Sequence, residues 1–455
     1  MGTERLFFGE HPGAELLIRG AHVVDPRSDL DERADVLVRD GTIAELGPAG
    51  TLQPADGGAR AELLDAAGMH LLPAFVDPHV HLRTPGQEYK ETIETGTAAA
   101  AAGGYCAIVA MPNTDPTVDD PSVLGSLTER ARREARIPVG FLAAVTRGLR
   151  GAELTEMAAL RDQGAIGFTD DGRPVVSAGM LRRALQYQRL CGGIIALHEE
   201  DPELSGDGVM HEGAVSARLG MAGIPSVSES TMVARDGALA LYENGRVHFQ
   251  HLSSVESVRA LEALKQAGAP VSGEASPHHL TLTDEAVLSL DSRFKMNPPL
   301  RTEDDRRALI EALRSGVIDC VATDHAPHAV HEKEVPFEQA PMGTTGSETA
   351  FAALYTELVA PGELALATLV ERMSAGASCY GLPVPRIAPG ERANLVLVDL
   401  DAVFTVGADG YASRSRNCAF EGRTLHGRVA LTLAAGTIAF RRPMLVGDPA
   451  GGGRR

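Results

Sequence analysis

Two histidines one residue apart, His79 and His81 in the run Val76-Asp77-Pro78-His79-Val80-His81-Leu82-Arg83, follow the apolar stretch Leu71 to Val76. Residues i and i+2 of a strand share a face, so both imidazoles would project together from the strand's C-terminal end and could serve one metal ion. Taken alone, the pair is better explained as a polar loop with two incidental histidines. Four further apolar runs, however, end in donors of the same kind. Ala165 to Thr169 leads into Asp170 and Asp171, Ile194 to Leu197 into His198, Val247 to Gln250 into His251, and Val317 to Thr323 into Asp324. Imidazole and carboxylate suit zinc and other first-row divalent ions. A single strand-terminal His or Asp is usually a cap or a satisfied structural residue, whereas five strand ends offering such donors point to a metal centre.

Positioning these donors requires repeated strand and helix units. Between residues 70 and 380, short apolar, β-branched runs alternate with longer amphipathic segments. Eight strands are expected, at 71–77, 105–111, 138–145, 165–169, 193–197, 246–251, 270–275 and 317–323. Helical apolar spacing marks Ser122 to Arg136, Ala178 to Cys191 and Ser254 to Ala267. Eight such units predict an α/β fold of the parallel (β/α)8 TIM-barrel type, in which chemistry sits at the C-terminal strand ends, where the donors fall. The flanks read differently. Short strand-like pieces (Glu15 to Arg19, Ala34 to Val38, Ala393 to Val398, Arg428 to Leu433) separated by glycine-rich turns suggest one small β domain built from both chain ends. The expected organisation is therefore 1–69 and 381–455 for the two parts of the β domain and 70–380 for the barrel, with a frayed Gly451 to Arg455.

A formal charge of −19 argues against nucleic acid, whose phosphates demand a basic face. No run reaches the roughly 18 to 20 apolar residues of a membrane span, and the first residues carry no signal-peptide pattern. A cytoplasmic protein is expected. The five cysteines, Cys106, Cys191, Cys320, Cys379 and Cys418, are odd in number and mostly set in apolar surroundings, as reduced core thiols would be. Lysine is scarce: Lys90, Lys265, Lys295 and Lys333 are all there are.

Taken with its motifs, the chain resembles the cyclic amidohydrolases of the amidohydrolase superfamily, and among them the class I dihydroorotases. The resemblance runs nearly the whole length and rests on His79 to Arg83, Met111-Pro112-Asn113-Thr114, Phe168 to Gly172, His251-Leu252-Ser253-Ser254, Met296 to Arg301 and Ala322 to His328. It implies a zinc enzyme of pyrimidine biosynthesis, with one or two ions, that interconverts N-carbamoyl-L-aspartate and L-dihydroorotate. Many relatives bridge two metals with a carboxylated lysine, which is excluded here because no lysine lies between Lys90 and Lys265. Strand alternation lets only one of Asp170 and Asp171 face the barrel interior, and the motif match implies Asp171.

The resemblance further implies His79, His81, Asp171 and Asp324 around one metal and Asp171, His198 and His251 around a second, with Asp324 as the proton carrier. Substrate contacts are implied for His81, Arg83, Asn113, Asn297, His328, Met342 and Gly343. Of these, Arg83 offers a planar fork suited to a carboxylate; Asn113 and Asn297 would otherwise read as turn residues. His248 is expected to face the surrounding helices, His278 and His279 to lie in a loop without ligand roles, His325 to act structurally or behind a ligand, and His211 to be an ordinary loop residue. Residues 329–345 could form a lid over the site. The alternatives are another cyclic amidase, of hydantoinase or allantoinase type, and a non-catalytic scaffold for aspartate carbamoyltransferase. A homodimer and a complex with that transferase both remain open as working forms.

Overall fold

A computed structural model describes residues 3–9, 11–54 and 61–443; the expected frayed end lies outside them. Eight strands form the barrel in chain order: Phe75–Val80, Tyr105–Ala110, Val139–Ala143, Gly167–Phe168, Ile195–Leu197, Val247–Phe249, Val271–Ala275 and Cys320–Val321. Every adjacent pair is parallel. The last strand closes on the first through a parallel bridge between Val80 and His325, with His81 N–H donating to the His325 carbonyl at 2.9 Å. A buried carboxylate reinforces this seam. Asp77 accepts from the Thr323 backbone (3.0 Å) and hydroxyl (2.5 Å), and burial pushes its pKa up to about 6. The fold is thus a TIM barrel carrying a small β domain.

The helices begin where local chemistry satisfies their free N–H groups. Asp120 caps Pro121–Glu134, Ser254 caps Val255–Gln266, and Thr302 with Asp305 forms a capping box for Glu303–Ser315. Each cap contributes about 1 kcal/mol. No helix among the described residues is long and apolar enough to cross a membrane.

The expected first strand divides between two sheets. His70–Pro73 pairs antiparallel with Leu395–Thr405 and parallel with Leu16–Asp25 in the small sheet, whereas Phe75–Val80 begins the barrel. The run from Leu71 to Val76 contains no polar residue to mark the change, because both stretches are buried. Side-chain alternation serves both cores: Leu71, Leu395 and Leu397 fill the small domain, while Leu72, Val396 and Val398 pack with the barrel. At Gly104 (φ 94°) a Cβ would lie 2.9 Å from the Phe75 ring, so this turn demands glycine. Thr424–Ala434, Thr437–Arg441, Leu30–Arg39 and Thr42–Pro48 extend the small sheet. The ladders are shorter than the apolar runs, Cys320–Val321 for 317–323 being an example, because the chain leaves the sheet as it turns donors toward the mouth; Asp324 has already left the extended region, at φ 48°.

Candidate metal centre

At the C-terminal end of the barrel, six side chains from five strand ends converge. Asp171 lies at the middle of the group. Its Oδ2 is 3.5 Å from His79 Nε2 and 3.5 Å from His81 Nε2, while its Oδ1 is 3.5 Å from His251 Nε2 and 3.8 Å from His198 Nδ1. Asp324 Oδ1 is 3.0 Å from His81 Nε2 and 3.6 Å from His79 Nε2. The donors fall into two groups that share Asp171, one with His79 and His81 and one with His198 and His251, and either could hold a metal ion. All are buried. His79 Nε2 and Asp171 Oδ1 have no hydrogen-bond partner there, a costly arrangement unless a cation completes it. Nitrogen and oxygen donors facing one another across a buried gap therefore fit a divalent ion.

Asp170 takes another direction. Its carboxylate accepts from the Thr146 backbone at 2.9 Å and from the Thr146 hydroxyl, and burial pushes its pKa up to about 6.

Outer partners orient three of the four histidines. His79 Nδ1 pairs with Glu274 at 2.7 Å, His81 Nδ1 with the Asn113 carbonyl oxygen at 2.9 Å, and His198 Nε2 with Glu200 at 3.1 Å. Each contact turns the opposite nitrogen inward, which is how such partners fix tautomer and ring orientation. Glu274 and Glu200 carry no sequence signal: each is a single acid in a short segment whose partner is set by the fold. Asn297 donates to Glu200 at 2.7 Å, so this residue is tied to the same network. Burial opposes ionisation of Asp171, yet the adjacent His79, His251 and His81 hold its carboxyl well below the usual range.

Above the cluster opens a cavity of about 320 Å³. Of the twelve residues singled out in the sequence, all but His79 line it; His79 sits fully covered beneath. Arg83 is held by its Nε, which donates to the Pro327 carbonyl at 3.1 Å. His328 Nε2 donates to the Met342 carbonyl at 2.8 Å, and Gly343 N–H to the Lys295 carbonyl at 2.8 Å. The segment expected as a lid is further tied down by Lys333, whose ammonium donates to the Ser292 and Pro341 carbonyls at 2.8 Å each. Arg83, His251 and Asp324 all have positive φ (55°, 33° and 48°) without being glycine. Strained backbone of this sort persists where the surroundings over-determine it, as functional sites do.

Several other histidines differ from expectation. His248 points into the barrel, not toward the helices, because it shares strand parity with Gln250; its Nε2 meets Glu274 at 2.8 Å. His278 and His279 belong to a buried short helix, Pro277–Thr281. His211 is buried and pairs with Arg301 at 3.1 Å. His325 keeps to the structural place expected for it, meeting Glu91 at 3.2 Å on the closing seam.

Burial, with Arg83, Lys333 and Lys90 nearby, holds the His328 imidazole down to about 2. The folded protein refuses a proton that the unfolded chain binds below a pH of about 6.5. Stability is therefore complete above that pH and falls as the solution is acidified, by up to about 1.4 kcal/mol per pH unit for one such group. Thermal unfolding of His328→Gln between pH 7 and 4 is expected to give a shallower decline in Tm than the wild type. An equal or steeper decline would show that His328 takes up its proton in the folded state.

The fold is shared with solved cyclic amidases. L-hydantoinase (dihydropyrimidinase) from Arthrobacter aurescens superposes with a TM-score of 0.82 at 25% identity, over 93% of this chain and 96% of its own. D-hydantoinase from Thermus sp. gives 0.79 at 26% identity, over 94% and 95%. Barrel, small β domain and histidine–aspartate cluster together place the protein among the cyclic amidohydrolases. A family model described as dihydro-orotase-like matches residues 68–257. The dihydroorotase of Pelotomaculum thermopropionicum is 44% identical over 94% of this chain and 99% of its own. That of Anaeromyxobacter dehalogenans is 45% identical over 93% and 97%. The chain belongs to the dihydroorotase family.

Proposed function

We propose that this protein interconverts N-carbamoyl-L-aspartate and L-dihydroorotate as a zinc-dependent dihydroorotase of pyrimidine biosynthesis, acting in the cytoplasm. The observation that carries the reading is that a donor cluster suited to a divalent ion and a buried arginine open on one small cavity. His79, His81, Asp171 and Asp324 would hold one ion, and Asp171, His198 and His251 a second. When bound, the metal supplies a water whose pKa falls from about 15.7 toward about 7, and polarises the carbonyl it contacts.

The chain's own groups do the rest. In the ring-opening direction Asp324 takes the proton of the attacking water and delivers it to the departing ring nitrogen. In ring closure it takes the proton of the ureido nitrogen as that atom bonds to the side-chain carboxyl carbon, and returns it to the oxygen that leaves as water. Arg83 pairs with the carboxylate present in both substrate and product. Asn113 and Asn297 brace His81 and His198 and, with His328, Met342 and Gly343, line the same cavity.

A hindrance to the hydantoinase reading, despite the shared fold, is the absence of a lysine able to bridge metals. The deciding experiment compares turnover of dihydroorotate, carbamoyl aspartate, hydantoin and allantoin, with metal content measured on the same preparation. Preference for hydantoin or allantoin would refute the assignment. In the same assay Arg83→Met is expected to lower kcat/KM for both acidic substrates by about 10- to 100-fold, the worth of a charged hydrogen bond of about 1.5–3 kcal/mol. Loss of metal with KM unchanged would make Arg83 a support of the site instead.

A further inference from the structure

Below the metal centre, inside the barrel, lies a second cluster that the reaction does not use. Cys320 comes from the last barrel strand, His248 from Val247–Phe249, and Cys379 from the short helix Gly376–Cys379. All three are buried. The two sulfurs are 3.8 Å apart, and one donor atom from each residue lies within 4.8 Å of the others.

We infer that His248, Cys320 and Cys379 form a separate binding site for a soft divalent cation of the zinc type, held by two thiolates and one imidazole. Thiolate and imidazole together select zinc and softer ions over magnesium or calcium. Two sulfurs each about 2.3 Å from a tetrahedral ion stand about 3.8 Å apart, so the pair needs no rearrangement to share one. Three different elements supply the donors, which fixes their spacing through the packing of the barrel.

The charge balance also favours a cation. Cys320's hydrogen bond and the nearby His248 draw the Cys379 thiol below its ordinary value. Burial opposes protonation of His248, but Cys379 and Glu274 outweigh it and push the imidazole up to about 10. A divalent ion bound between the three side chains would replace the imidazole and thiol protons, with their release to solvent. His248 must then give up one of its two present hydrogen bonds, to Ser272 or Glu274, each 2.8 Å long. The Ser272 hydroxyl is the cheaper to displace, since the bond to Glu274 is charge-assisted.

Glu274 links this cluster to the catalytic one, holding His248 Nε2 at 2.8 Å and His79 Nδ1 at 2.7 Å with its two oxygens. Occupancy of the thiolate site would therefore bear on the orientation of a ligand at the mouth without contributing to the chemistry.

No cysteine lines the mouth, so a thiolate band can report only the second cluster. Metal-free full-length protein is titrated with Co²⁺ and followed by absorbance. Thiolate-to-cobalt charge transfer in the near ultraviolet is expected, rising to one equivalent of cobalt and absent from Cys379→Ser. Zinc analysis of the wild type is expected to exceed that of Cys379→Ser by one equivalent, with kcat for dihydroorotate within about 3-fold. If the variant does not fold, the wild-type titration decides alone. A wild type that takes up cobalt with no thiolate band, or equal zinc in both proteins, overturns the inference, and neither result affects the dihydroorotase reading.

Discussion

Asp324→Asn is expected to keep most of its bound metal and to lose about 10²- to 10⁴-fold in kcat, the usual contribution of a positioned acid–base group. The amide preserves the shape of the carboxylate and one oxygen toward His81, 3.0 Å away, but it cannot accept a proton and pass it on. The four histidines and Asp171 remain to hold the ion. Steady-state kinetics in both directions, with metal analysis of the same sample, provide the check. A variant turning over at near wild-type kcat would remove Asp324 from proton transfer and leave it a ligand only.

The second large effect concerns the adjacent acids. Asp171→Ala deletes the one carboxylate that approaches all four histidines, and metal content and activity are both expected to collapse. Asp170→Ala instead strips Thr146 of its buried acceptor, which costs about 1–3 kcal/mol of stability and leaves the metal in place. Because the shared ligand proposed here is an aspartate and no lysine lies between Lys90 and Lys265, metal-free protein should reconstitute equally well with and without bicarbonate. Bicarbonate dependence, or metal loss confined to Asp170→Ala, would contradict this assignment.

The barrel and the convergence of donors were legible because each ligand follows an apolar run, a pattern written locally in the chain. The outer partners were not. Glu274 lies in Val-Ser-Gly-Glu-Ala, where nothing near it in sequence announces His79, 195 residues away. Asp77 read as part of the histidine motif, and its role in joining the first strand to Thr323 depends on barrel closure. His248 illustrates a different failure. Its orientation could have been taken from Gln250, two residues on, had strand parity been applied to both. The passage from small sheet to barrel at Ala74 was hidden because burial on both sides makes the run uniformly apolar, and alternation between Leu71 and Leu72 reports two cores instead of core and solvent.

The seam between the first and last barrel strands has a bearing on biogenesis. His81 and Asp324 are 243 residues apart, and the Asp77 latch spans 246, so the most sequence-distant pairing in the barrel also completes the ligand set. Contacts of such separation are slow to form. A nascent chain carries His79 and His81 long before Asp324 has been made, and it offers the ion an incomplete grip until the ring shuts. The proton carrier proposed above therefore joins the site only when the ring shuts, so that a partly closed chain would hold the ion without turning substrate over.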